Sequence, residues 1–204
     1  MNDETNLRDD ISFLRQMAES GRQGPILGGI FLAAAGVVFG CASILSWASH
    51  AHLLPFPLVG DGPLWLIAGV VFVGLWLAIF FGIVRKSTTK PAANNAAFAA
   101  VWQGLALGVM TAFATTVFIA HQQKVDVVLS AYVPVIYAFY GTAWFSCAAL
   151  AKRRWMYLAA FGCFVFAFVI AALTESNLQS LAMGIGLLLL LTLPGLRLMA
   201  DEPR

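Results

Sequence analysis

The three histidines of the chain are the residues best suited to chemistry, because an imidazole ring can bind a transition metal. They are His50, His52 and His121, and each lies at the end of a long apolar run or just after it. If the runs cross a membrane in alternate directions, all three share one face with a set of acids: Asp61, Asp126 and Glu175. Imidazole and carboxylate suit Zn²⁺ or Cu²⁺. His50, His52 and His121 are therefore a candidate metal site; ordinary polar residues at helix ends are the alternative.

A second group of polar and aromatic residues lies inside the apolar runs. Gln103 is the most polar side chain well inside a run apart from the hydroxyls, so we expect it to face other helices and find a hydrogen-bond partner there. Aromatic residues recur at helical spacing in a later run, which is typical of a packed core. A polar, aromatic-lined path for a neutral solute is the alternative, with the candidate residues Gln103, Thr111, Tyr137 and Tyr140.

Motifs of several enzyme classes are absent from the sequence. It contains no HExxH, no GxSxG, and no glycine-rich loop before Lys-Ser or Lys-Thr. No apolar run carries an acid or a base in its middle, which argues against a proton- or ion-coupled transporter. We therefore expect no catalytic residue and no cofactor. The net charge of +2 is too small to indicate a nucleic-acid partner.

The composition indicates that these residues are held by helices in lipid. The chain is 60% hydrophobic and 11% charged, whereas soluble domains have about 45–50% apolar and ~25% charged residues. Each of six apolar runs is long enough to cross a ~30 Å hydrocarbon core, where only internally hydrogen-bonded structure is stable. The runs are 25–49, 63–84, 96–120, 127–151, 155–174 and 178–198. The sequence predicts an all-α bundle of six transmembrane helices, arranged as three hairpins, with the membrane domain spanning 25–198.

The basic residues fix the predicted orientation of this bundle. Of the 12 Lys and Arg residues, 11 lie before the first run, in alternate breaks, or near the end of the chain; Lys124 alone lies on the other side. Because cytoplasmic loops carry the excess of Lys and Arg, both termini are predicted to be cytoplasmic, the last six residues (199–204) forming a short tail.

Residues 1–24 form a predicted amphipathic helix and linker on the cytoplasmic side. Leu7, Ile11, Leu14 and Met17 recur at helical spacing. Such a helix can lie on the inner leaflet, but this one carries three arginines against five acids, and anionic lipid attracts basic segments. It could instead dock on the basic loops of the chain, or bind a membrane or cytoplasmic protein partner.

Small residues recur four apart in several runs and predict close helix contacts. Gly36 and Gly40 form one pair, and Gly104 and Gly108 belong to the longest stripe, which would suit a central helix. Such stripes serve either internal packing or self-association, so a homo-oligomer is a second partner expectation besides the lipid bilayer.

Residues 10–25 lead directly into a Gly/Ala-rich span. Their sequence is Asp-Ile-Ser-Phe-Leu-Arg-Gln-Met-Ala-Glu-Ser-Gly-Arg-Gln-Gly-Pro. This N-terminal fifth resembles the start of small bacterial inner-membrane proteins that have no assigned activity. The resemblance implies a bacterial inner (plasma) membrane and assigns no functional residue. From the residues we predict a non-enzymatic protein that acts through self-association or a protein partner. A small transporter or channel for a neutral or weakly polar solute, and a metal-binding protein, are the alternatives.

Overall fold

A computed structural model describes residues 28–54, 60–84, 95–124, 127–174 and 176–201. These ranges are almost entirely helical and contain no strand. The predicted amphipathic helix of residues 1–24, the basic loop 85–90, and the acids Asp126 and Glu175 lie outside the described residues.

Six helices of the described ranges are long and apolar enough to cross a membrane, which confirms the six predicted helices. Their bounds are α1 Gly29–His50, α2 Asp61–Ile79, α3 Asn95–Gln123, α4 Val127–Ala151, α5 Arg154–Ala172 and α6 Leu178–Ala200. A π-helical turn, Phe80–Val84, continues α2, and a second one, Leu188–Thr192, interrupts α6. The predicted ends agree to within a few residues, because uniformly apolar runs bounded by polar breaks define both.

Three of the helices end at a residue with a left-handed backbone conformation. His52, Lys124 and Lys152 have φ of 54°, 54° and 55°, and each follows the last residue of a helix by one or two positions. A residue in this conformation ends a helix and turns the chain sharply. The turn at Lys152 allows α5 to start at Arg154 and to pack back along α4.

The bundle has a well-packed centre and two exposed edges. Helix α1 packs along the length of α6, and α4 packs extensively on α5. In the apolar windows of the helices, 50% of the α6 residues are buried, against 11% for α2 and 6% for α3. Helix α2 packs mainly on α1, and α3 mainly on α4.

Helix α3 therefore lies at an edge, and the expectation of a central position for its small-residue stripe was wrong. The physical reason is that its large residues make the contact with α4. Phe98 is buried against the core, and the ring of Trp102 lies 5.3 Å from that of Trp144. Further along, Tyr132 of α4 donates a hydrogen bond to the Val109 carbonyl at 2.7 Å.

The two ends of the bundle differ in chemistry. At one end, here the arginine end, the start of α1 lies against the end of α6, and Arg153 of the α4–α5 turn forms an ion pair with Asp201. At the other, here the histidine end, α1 ends at His50 and α2 begins at Asp61.

Candidate functional site

Two prolines lie inside packed helices and each removes a backbone hydrogen bond. Pro134 is in the second turn of α4, and Pro194 is in the last part of α6. A proline has no N–H to donate to the carbonyl four residues earlier. A count of four residues back from each proline gives the carbonyls of Ser130 and Leu190, and Leu190 lies in the π-helical turn Leu188–Thr192, where the regular α-helical spacing is interrupted. In a bilayer no water is present to replace the lost bond, so other groups of the protein must do so.

Each of these carbonyls accepts a hydrogen bond from a side chain of the other helix. Gln179 of α6 donates from Nε2 to the Ser130 carbonyl of α4 at 3.0 Å. In return, Trp144 of α4 donates from Nε1 to the Leu190 carbonyl of α6 at 3.0 Å. Between them, the hydroxyl of Tyr137 donates to the Met183 carbonyl at 2.5 Å. These three bonds define the α4–α6 seam, and together they fix the register of the two helices.

The seam is also the aromatic centre of the molecule. Tyr137 and Trp144 are fully buried. The Tyr137 ring packs edge-on against Tyr140 at 6.1 Å and nearly parallel to Phe166 at 6.1 Å. Of the candidate solute path, the structure thus brings Tyr137 and Tyr140 together within the core.

The other two residues of that candidate path lie elsewhere. Gln103 and Thr111 are exposed on α3. Gln103 does not face the bundle as expected, because Phe98 and the neighbouring Trp102 occupy the side of α3 that faces α4. The exposed amide of Gln103 instead lies beside Gly104, on a helix with few buried residues.

A polar cluster of Ser46, His50 and Asp61 joins α1 to α2 at the histidine end. The His50 Nδ1 lies 2.9 Å from the Ser46 carbonyl, which can only accept, so Nδ1 carries the proton. The Ser46 hydroxyl donates to Asp61 Oδ1 at 2.8 Å, and His50 Nε2 lies 3.4 Å from Asp61 Oδ2. Asp61 is the first residue of α2, where the helix dipole favours a negative charge. The cluster ties the two helix ends together.

The predicted metal residues are distributed around this end rather than gathered. His52 is exposed just beyond α1, and His121 is exposed in the last turn of α3. No group of three or more histidine, cysteine or acidic side chains within reach of one ion occurs among the described ranges. The sequence reasoning missed the link from Ser46 to Asp61; the four-residue spacing of Ser46 and His50, which puts both on one helix face, was the available signal.

The glycines of α1 serve the contact with α6. A Cβ at Gly36 would lie 2.3 Å from Thr192 Oγ1, and one at Gly40 would lie 3.1 Å from the Leu188 side chain. On the facing helix, a Cβ at Gly184 would lie 2.8 Å from the Gly40 carbonyl. At Gly36 and Gly184 a side chain would force the helices apart, whereas at Gly40 the Leu188 side chain would have to shift by a few tenths of an ångström. Gly36 and Gly40 are therefore used inside the subunit.

The glycines of α3 are in the opposite situation. A Cβ at Gly104 or at Gly108 would meet nothing within 4 Å outside its own helix. The same motif, small residues four apart, is thus filled by a neighbouring helix in α1 and left open in α3. The open positions of Gly104 and Gly108 define the α3 face.

Comparisons with protein-family models, with curated proteins and with solved structures find no match for this chain. The features of the chain that bear on its function are therefore the α4–α6 seam, the α3 face and the charges at the two ends of the bundle.

Proposed function

We propose that the chain is a multi-pass integral membrane protein that acts through self-association, and that a second copy docks on the α3 face. The observation that carries this proposal is the open space beside Gly104 and Gly108. A second copy placed there would complete the packing that this helix lacks within one subunit.

Apolar side chains and glycines differ in what they contribute at a lipid-facing position. Exposure of apolar side chains is expected of any helix in a bilayer, so the many exposed aliphatic residues of α2 and α3 do not by themselves indicate a partner. Glycine is different: facing lipid it gives no packing and weakens the helix by about 1 kcal/mol relative to alanine. Between helices it allows the close approach that drives association where lipid gives no hydrophobic force. Two glycines one turn apart on an exposed face therefore favour an interface.

Gln103 precedes Gly104 directly, which places its exposed amide about 100° round the helix from that glycine, to the side of the α3 face. An exposed amide on a membrane helix lacks the partners that water would give, and hydrogen bonds between helices supply them. The Gln103 amide can bond a polar group of the second copy at the side of the interface, since it has donors and an acceptor.

The location that goes with this proposal is a bacterial inner membrane, with both termini in the cytoplasm. It is supported by the gathering of Lys152, Arg153, Arg154 and Arg197 at the arginine end, where α1 also begins. Lys124 is the one basic residue at the histidine end among the described ranges. The positive-inside rule then assigns the arginine end to the cytoplasm.

The test is a pair of matched glycine variants. In the double variant Gly104→Leu and Gly108→Leu, the added side chains should block the second copy and leave the subunit intact, because nothing in the subunit lies near them. Gly69→Leu on α2 is the control for each replacement, since its position is equally open and the gain in helix propensity per residue is the same. Subunit number is read by native mass spectrometry in mild detergent, and association by energy transfer between labelled copies in liposomes.

The expected result is a wild-type multimer, a multimeric Gly69→Leu control, and a monomeric double variant with undiminished thermal stability. A double variant that associates as the wild type does would contradict the α3 face as the interface. A monomeric wild-type protein in liposomes would contradict self-association altogether.

A further inference from the structure

A groove opens between α5 and α6 at the arginine end, far along the bundle from the histidine cluster. Its volume is about 290 Å³. The two helices make only slight contact with each other, although each packs closely on another helix, and this leaves the groove between them. Apolar side chains form its walls, among them Leu158, Ala159, Leu189 and Leu193.

A cation is held at the mouth of this groove. The guanidinium carbon of Arg197 lies 4.8 Å from the centre of the Trp155 ring, and both residues line the groove. An arginine over an indole face is attracted by the ring and keeps a defined position. Arg154, the exposed first residue of α5, precedes Trp155 directly but is not among the residues that line the groove.

The acidic residue at the arginine end is paired with an arginine outside the groove. Asp201 is the one acidic residue that the structure describes at the arginine end, and it accepts a hydrogen bond from Arg153 Nη1. The ion pair ties the end of α6 to the α4–α5 turn. The charge of Arg197, one turn before Asp201, is therefore available to a ligand.

We propose that this groove binds an anionic phospholipid, with an acyl chain along the apolar walls and the phosphate at Arg197. The arrangement has the polarity of such a lipid, apolar along its length and positive at the membrane surface. A guanidinium group binds phosphate through paired charge-assisted hydrogen bonds. Basic pockets between transmembrane helices on the cytoplasmic side are known to suit anionic head groups. The site lies on different helices from the α3 face and goes beyond the self-association proposed above.

The experiment is lipid titration of the full chain in mild detergent, followed by native mass spectrometry. Phosphatidylglycerol and phosphatidylcholine with identical acyl chains are the two probes, so that only the charge of the head group differs. The wild-type protein should retain phosphatidylglycerol preferentially. Arg197→Gln should weaken that binding about fivefold, because a basic residue near the head group contributes about 1 kcal/mol.

Two controls separate the site from a general attraction of charge. Lys152→Gln removes a charge from the same end at the exposed turn, outside the groove, and should leave phosphatidylglycerol binding nearly unchanged. Leu193→Trp keeps every charge but narrows the groove, and should weaken the binding of both lipids. Arg197→Lys keeps the positive charge and should bind more strongly than Arg197→Gln, and circular dichroism confirms that each variant is folded.

Three outcomes would overturn the proposal. The first is equal retention of the two lipids by the wild-type protein. The second is a loss with Lys152→Gln as large as with Arg197→Gln, which would show only a general attraction of charge. The third is binding that appears only after deletion of residues 1–20, which would mean that the acidic N-terminal segment occupies the groove in the full chain. The same spectra report subunit number, so failure here is distinguishable from failure of the self-association proposal.

Discussion

Replacement of Trp144 by phenylalanine should destabilise the protein through one specific hydrogen bond. Trp144 is fully buried, and its Nε1 donates to the carbonyl of Leu190, four residues before Pro194, which has no N–H to offer that carbonyl. In Trp144→Phe the ring remains aromatic, but that carbonyl loses its side-chain donor in an apolar surrounding. The stability of the α4–α6 seam should fall as a result.

The loss of stability in Trp144→Phe has two parts, one from the hydrogen bond and one from the change in ring size. A stranded buried carbonyl costs about 1–3 kcal/mol in soluble proteins, whereas hydrogen bonds measured between membrane helices average about 0.6 and reach about 1.7 kcal/mol. We expect a hydrogen-bond part of about 1.5 kcal/mol, at the upper end of the membrane range, because proline has already removed the alternative donor. The smaller ring also leaves a cavity, which adds a cost of its own.

A double-mutant cycle separates the two parts. Pro194→Ala restores an N–H at position 194, which can donate to the Leu190 carbonyl as in a regular helix. Trp144→Phe should then cost about 1.5 kcal/mol less in the Pro194→Ala background than in the wild-type background, since only the cavity part remains. Unfolding by titration with a denaturing detergent, followed by circular dichroism, gives the four free energies.

The reasoning is refuted if the cost of Trp144→Phe is the same in both backgrounds, within the roughly 0.3–0.5 kcal/mol by which independent sites are additive. The indole would then act by packing alone. A second cycle on the other bond, Gln179→Leu with Pro134→Ala, should show coupling of the same sign at the Ser130 carbonyl.

Two further predictions concern the glycines and the orientation. Gly36→Leu should lower the free energy of unfolding in denaturing detergent by about 3 kcal/mol, because the Cβ alone would lie 2.3 Å from Thr192 Oγ1 and overpacking of this kind forces helices apart. A loss no larger than that of the open control Gly69→Leu would contradict the packing of α1 on α6. Lys152→Cys, in a background lacking the exposed Cys41, tests the orientation. The new thiol should not react with a membrane-impermeant reagent in intact cells, and should react once the cytoplasmic face is made accessible. Labelling in intact cells would reverse the proposed orientation.

The number of helices was predictable from the sequence because the signal is local. Each run is apolar throughout and ends at polar or basic residues, and the requirement for internal hydrogen bonding leaves the helix as the stable form. The neighbours of each helix were not predictable in the same way. In water, an apolar stripe marks the side that packs, but both sides of α3 are apolar in lipid. The contact of Phe98 and Trp102 with α4 is therefore visible only in the folded chain.

The α4–α6 seam shows how far sequence reasoning reaches at a particular site. Pro134 and Pro194 identify the Ser130 and Leu190 carbonyls as groups in need of a donor, by a count of four residues. The sequence does not say which side chains supply it, because Gln179 and Trp144 are 49 and 46 residues away from those carbonyls along the chain. Tertiary packing alone brings each donor to its acceptor.

The glycine stripes lead to the functional argument by the same reasoning. Gly36 and Gly104 belong to identical four-residue patterns, so the sequence assigns them equal roles in association. The structure separates them, because α6 covers the first and nothing in the described chain covers the second. Since α1, α4 and α6 are locked by close glycine contacts and by the reciprocal bonds at the prolines, the centre of the bundle has little freedom to accept a partner. A second copy on α3 and an anionic lipid between α5 and α6 would therefore each add to a preformed surface, and variants at one surface should leave binding at the other intact.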